Sequence, residues 1–176
     1  MTAAAALWRV PDPVVVPALI GRLDDDDATV RQWAATALGS PRDRRAVDPL
    51  IRKLDDGVPN VRAEAIRSLR RIGDERALDA LKRYAMDPDR AFDEQKEALA
   101  AVLALTEDDV AVLIELARSP DPQFRRHVIR GIGAMGDRST VPELRALLRR
   151  ERDWRVRREL RTAIAHVAAR SGAVEN

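Results

Sequence analysis

The chain has 176 residues, 45% hydrophobic and 34% charged, with a formal net charge of only +2. That balance excludes disorder by composition, which needs few apolar residues and a large net charge. No Cys, two His and six aromatics exclude a disulfide scaffold, a Cys-based zinc site and a thiol enzyme, and leave little for a His-rich metal site.

Taken in order, residues 1–9 are read as a short capping helix in which Leu7 and Trp8 cover the first edge. No basic residue precedes this Ala-rich start, which does not fit a signal peptide. No segment reaches the roughly 20 apolar residues of a membrane span. A cytoplasmic location is expected. Asp12-Pro13 reads as an N-cap followed by proline in the first helical turn. Val16-Pro17-Ala18-Leu19-Ile20 then opens a helix, and the same frame returns at Val47-Asp48-Pro49-Leu50-Ile51, Leu78-Asp79-Ala80-Leu81, Val110-Ala111-Val112-Leu113-Ile114 and Val141-Pro142-Glu143-Leu144. The anchor leucines Leu19, Leu50, Leu81, Leu113 and Leu144 are 31, 31, 32 and 31 residues apart. A period of this size is the mark of a repeat array.

A second frame follows the first in each period. It reads Val30-Arg31, Val61-Arg62, Phe124-Arg125 and Val156-Arg157, with a degenerate copy at Glu94-Gln95. Apolar residues continue at i+4 and i+8, as in Val61, Ala65 and Leu69, which makes one stripe of a helix. Asp27, Asp121 and Asp153 stand three residues before the first apolar anchor, placed to cap or to pair with the Arg that follows. Thr140 with Glu143 has the spacing of a capping box. Ser40, Ser68, Ser119, Ser139 and Ser171 lie in turns or on a helix without a His in register, so no nucleophile arrangement is present. Gly131-Ile132-Gly133-Ala134-Met135-Gly136 closes a helix where a phosphate-cradling loop would open one.

Each period is therefore a pair of helices that cannot bury both apolar faces alone, so neighbours must stack into a continuous core. The expected fold is all-α: one domain, 1–176, of five two-helix repeats at about 10–40, 41–73, 74–105, 106–136 and 137–170, with a frayed tail at 171–176. The run of anchor Leu, acidic loop, Val-Arg step and Gly-Asp turn resembles the HEAT-like repeat in its short bacterial form, the phycobilin-lyase type. This resemblance implies an α-α superhelix, a right-handed solenoid whose second helices line a concave face. It also implies a binding scaffold in most members and an enzyme in a few: bilin lyase subunits, a di-iron hydroxylase of a modified lysine, and alkylpurine DNA glycosylases.

The residues weigh against the enzymes. A di-iron centre needs His-Glu pairs, whereas Val128 follows His127 and Val167 follows His166. A glycosylase cleft needs aromatics with a carboxylate, and Trp33 with Glu64 is the one pair that fits. Trp33, Glu64, Glu97, His127 and Glu159 occupy the same repeat position, and a solvated row is favoured there over a metal site. No cofactor or metal is expected. Trp8 and Trp154 are read as helix-edge packing.

Charge supplies the remaining lead. From Pro120 to Asn176 there are 13 Arg against 7 Asp and Glu, a local +6 that leaves the first 119 residues at −4. Arg126 and Arg130 are i,i+4 neighbours, Arg158 repeats the Arg126 position, and Arg145, Arg149, Arg150, Arg155 and Arg161 add to the block. Arg125 and Arg157, like Arg31 and Arg62, are expected to be structural and to pair with loop carboxylates such as Asp121 and Asp153. The expected function is a non-enzymatic scaffold that binds a protein partner, such as an acidic segment, through the concave second-helix face. The candidate contacts are Trp33, Glu64, Glu97, His127, Arg126, Arg130, Arg158 and Glu159. The alternatives are nucleic-acid binding through the C-terminal Arg surface and a lyase-type subunit acting with a partner chain.

Overall fold

Apolar stripes at helical spacing, separated by short turns bearing Asp, Gly and Pro, fold as ten α-helices without a strand among the described residues. These are residues 15–40, 42–107 and 109–172 of a computed structural model. In chain order α1 (Val16–Arg22) precedes α2 (Ala28–Leu38), α3 (Val47–Arg52) precedes α4 (Pro59–Ile72), and α5 (Leu78–Met86) precedes α6 (Phe92–Leu105). α7 (Val110–Leu116) and α8 (Pro122–Met135) follow, then α9 (Val141–Arg150) and α10 (Trp154–Gly172). Every even-numbered helix is longer than the one before it. The described chain divides into two compact units, one of residues up to 81 together with 97–105, the other of 82–96 together with residues from 106 onward. In the first unit α2 packs on α1 and α4, and α3 packs on α4. In the second, α8 packs on α7 and α10, and α9 packs on α10.

The cores are aliphatic. α4 buries Val61, Ala65, Ile66, Leu69 and Ile72, and α8 buries Phe124, Val128, Ile129 and Ile132. Full burial of each large side chain contributes about 1.5–3 kcal/mol. α4 ends at Gly73, whose φ of 73° lets the chain turn back while its N–H still donates to Leu69 O.

Aspartates start the helices. Asp43, Asp74 and Asp137 each accept the N–H two residues on, opening the 3-10 turns that lead into α3, α5 and α9. Asp109 caps α7, Asp27 caps α2 and Asp121 caps α8 in the same way. Asp153 accepts from the N–H groups of Arg155 and Val156 at the start of α10. The capping box expected at Thr140 and Glu143 does not form. Thr140 is already helical, with φ −80° and ψ −12°, because the 3-10 turn Arg138–Thr140 precedes α9, and its hydroxyl donates to Asp137 O. Ser171 and Gly172, expected in a frayed tail, belong to α10. The expected cap at 1–9, the Asp12-Pro13 start and tail residues 173–176 lie outside the described residues.

The Arg of the Val-Arg step is a clasp. Arg31 donates to the carbonyls of Asp25 and Asp26 in the loop before its own helix, and grips Asp56, 25 residues on, with two hydrogen bonds of 2.8 and 3.0 Å. Arg125 likewise donates to Ser119 O and Pro120 O and holds both oxygens of Glu151, at 2.8 and 2.9 Å. Arg62 donates to Asp56 O, and Arg157 to Leu148 O and Glu151 O. Pairing with Asp121 and Asp153 is therefore corrected: those carboxylates are turned to helix N–H groups, and the acid that Arg125 takes lies in the following loop. The Arg31 hydrogen bonds hold the Asp56 carboxyl below its usual range. Burial pushes Glu151 upward, but the Arg125 bonds and the N–H groups of Asp153 and Arg152 prevail and hold it low. In the degenerate copy, Gln95 is fully buried and its Nε2 donates to Asp87 O, which keeps the loop tie without the charge.

Candidate functional site

α8 and α10 lie side by side because small residues face each other between them. A Cβ placed on Gly133 would sit 3.1 Å from Ala163 Cβ. Their polar faces bound an open cleft of about 420 Å³ lined by Arg126 and Arg130 from α8, and by Trp154, Arg155, Arg158, Glu159 and Thr162 from α10. Four guanidiniums meet one carboxylate. Arg130 is committed to Glu159 through a two-pronged pair at 2.9 and 3.1 Å. That hydrogen bonding raises the Arg130 pKa above its already high usual value, so its charge is fixed. Arg126 stands 3.8 Å from the same carboxylate, and its Nε is buried without an acceptor. Arg158 and Arg155 make no close ion pair among the described residues, although the Val156 N–H holds the Asp153 carboxyl below its usual range and Arg155 is near enough to help. Arg155 lies over the Trp154 ring, 5.3 Å from its centroid, while the indole itself is 65% exposed. Cation–π contact of this kind steadies a guanidinium without neutralising it.

A second opening of about 320 Å³ adjoins the first at the helix starts, sharing Arg126 and Arg155 and adding Asp121, Pro122, Gln123 and Asp153. The cleft thus has a basic floor and an acidic end.

The expected residues separate into two groups. Arg126, Arg130, Arg158 and Glu159 come together in the cleft. Trp33 stands on α2, 69% exposed. Glu64 and Glu97 are bridged by Arg67, at 2.6 and 3.4 Å. His127 packs edge-on against Phe92, with ring centroids 5.8 Å apart. Burial, with Lys96 and Arg130 nearby, lowers the His127 pKa, so the ring is neutral at pH 7 and adds no charge. Among the described residues no group of three or more His, Asp or Glu is placed to hold a metal ion, and no helix is long and apolar enough to cross a membrane.

Trp154, Arg155 and Thr162 were not among the expected contacts. Helical spacing carries the signal: Trp154 stands four residues before Arg158, Arg155 four before Glu159, and Thr162 four after Arg158. Trp154, expected to pack at a helix edge, is instead an exposed wall of the cleft.

Known proteins place the fold. Among solved structures, human deoxyhypusine hydroxylase in complex with glycerol is similar at 23% identity and a TM-score of 0.51, over 94% of this chain and 78% of that one. The complex of CpcE and CpcF of phycocyanin lyase from Nostoc sp. is 21% identical, with a TM-score of 0.47 over 93% and 88%. Computationally designed armadillo repeat proteins for modular peptide recognition are 19% identical, with a TM-score of 0.46 over 86% and 81%. No curated protein matches the sequence significantly. The family model for HEAT repeats matches residues 1–58, 16–104 and 110–172. Because that match runs over almost the whole chain and over helices that alternate short and long, the protein is a member of the HEAT-repeat family.

Proposed function

We propose that the protein is a non-enzymatic interaction scaffold that holds an acidic segment of a partner protein in the cleft between α8 and α10. The supporting observation is the charge excess on its floor: Arg126, Arg155 and Arg158 converge there, and the carboxylate between the helices, Glu159, is already held by Arg130. Guanidiniums that repel one another in one cleft are stabilised by an arriving anion, and their forked donors suit oxygen pairs. In the first unit Trp33, 69% exposed on α2, is by itself an apolar anchor of the kind that carries affinity in protein interfaces. Repeat folds bind extended segments along successive second helices, and the designed peptide-recognition proteins fit that reading.

Nucleic acid is the competing ligand, favoured by the exposed Arg145, Arg149 and Arg150 on α9. Titrating a glutamate-rich peptide and a duplex DNA of equal charge separates the two, at roughly 50 and 200 mM salt. The expected result is peptide binding that survives the higher salt and is lost in the double variant Arg126→Ala/Arg158→Ala. Tight DNA binding that collapses with salt, with no peptide binding, would overturn the reading.

A further inference from the structure

The cleft has more guanidinium charge than a single carboxylate can use. With Arg130 and Glu159 cancelling each other, Arg126, Arg155 and Arg158 leave three positive charges on the floor of the cleft, set against the Asp121 and Asp153 carboxylates at its end. A side-chain carboxylate brings one negative charge and two oxygens. A phosphomonoester brings about 1.5–2 negative charges at pH 7 and three acceptor oxygens. It can therefore engage three guanidinium forks at once.

The acidic end of the cleft narrows the choice further. Asp121 and Asp153 border the adjoining opening, beside Arg126 and Arg155. Their carboxylates accept from helix N–H groups, which fixes them in place. A nucleic-acid backbone, with a phosphate at every step, would have to run past both. A polyglutamate run meets the same two carboxylates, and so binds less tightly than one isolated anion does. One isolated anion with a neutral or basic neighbour fits both ends of the cleft.

Trp154 supplies the third element. Its exposed indole stands beside the Arg group and offers a surface for the residue flanking the anion.

We propose that the cleft between α8 and α10 is a receptor for a single phosphoserine or phosphothreonine in a partner's segment. Arg126, Arg155 and Arg158 hold the phosphoryl oxygens, Trp154 packs the adjacent residue, and Asp121 and Asp153 select a basic residue on the far side. This rests on the protein-partner reading above and names the chemistry that the site takes.

The test uses the full chain and four labelled probes in fluorescence anisotropy: a degenerate peptide library with a fixed central phosphoserine, the same library with serine, hexaglutamate, and a 12-nucleotide oligothymidylate. The phosphoserine library should bind at least roughly tenfold more tightly than the serine library and hexaglutamate. Arg155→Ala and Arg158→Ala should each weaken it by about tenfold or more. Arg161→Ala, on the same helix but outside the cleft, should leave binding unchanged, and inorganic phosphate should compete. Fixing lysine beside the phosphoserine should tighten binding, and Asp121→Asn/Asp153→Asn should erase that gain. Hexaglutamate binding as tightly as the phosphoserine library would overturn the phosphate assignment and leave the acidic-partner reading standing. Tightest binding to oligothymidylate, or no binding to any anionic peptide, would overturn both. Arginine variants that lose binding must keep the wild-type helical spectrum; a loss of binding that tracks a loss of helix would overturn their assigned contact role.

Discussion

Arg125 shows how one side chain joins two loops. It gives hydrogen bonds to two carbonyls of the loop before α8 and to both oxygens of Glu151 in the loop before α10. Arg125→Ala takes its donors from both carbonyls and from Glu151 Oε2 in a half-buried place, while Glu151 Oε1 keeps the N–H groups of Arg152 and Asp153. We expect a loss of about 2–3 kcal/mol in chemical denaturation at unchanged slope. Arg161→Ala, exposed on α10, should stay within about 0.5 kcal/mol of wild type. Arg125→Lys keeps the charge but loses the fork, and should fall between the two. The structural role of this Arg was legible in the sequence from the repeated Val-Arg step, but its partner was not. Asp121 is near in sequence and Glu151 is 26 residues away, and only the packing of α8 on α10 brings the second within reach. Glu64 and Glu97 carry the same lesson. Their equal repeat positions could be read, but the Arg67 bridge between them depends on a side chain outside the repeated frame.

Between elements, the close approach of α8 and α10 decides both stability and the cleft. Gly133 faces Ala163 with no room for a branched side chain. Gly133→Val should force the helices apart at a cost of about 1–3 kcal/mol. It should also loosen the Arg130–Glu159 pair, so thermal unfolding and ligand titration of this variant should worsen together. Ala163→Gly in the Gly133→Ala background should restore part of the stability. The sequence showed that the glycine run closes a helix, because no strand precedes it and apolar spacing continues through it. It did not show which glycine meets α10, since that depends on the angle between the helices. The failed capping box has a similar cause. Thr140 and Glu143 have the right spacing, but Asp137 opens the turn three residues earlier, and Thr140 is already helical when it reaches the cap position.

For the whole molecule, the carboxylates that clasp and cap give stability a sign in pH. Asp56 and Asp74 are held below the usual carboxylate range by Arg31 and Arg76, and Glu151 by Arg125 against the opposing effect of burial. A group lowered on folding stabilises fully above its unfolded pKa, and that contribution is lost as pH falls through the folded value. The melting temperature should therefore be level from pH 7 to about 5 and drop below about 4. Asp56→Asn should melt lower at pH 7 and show a shallower acid drop. A curve whose acid limb is the same in Asp56→Asn and wild type would count against this clasp. The reach of the clasp has an ancestral consequence. Arg31 meets its acid 25 residues ahead and Arg125 meets its own 26 ahead, so each of these two clasps ties one period to the loop of the next. A duplication of one whole period delivers a new arginine and a new acidic loop together, and the added layer arrives already fastened on both sides. A tandem copy of residues 43–73 placed after Gly73 should melt cooperatively and no lower than the parent. A copy of half that length strands an arginine and should not. Lengthening by whole periods is then nearly neutral for this architecture, and related chains should differ in length by multiples of about 31 residues, the spacing of the anchor leucines.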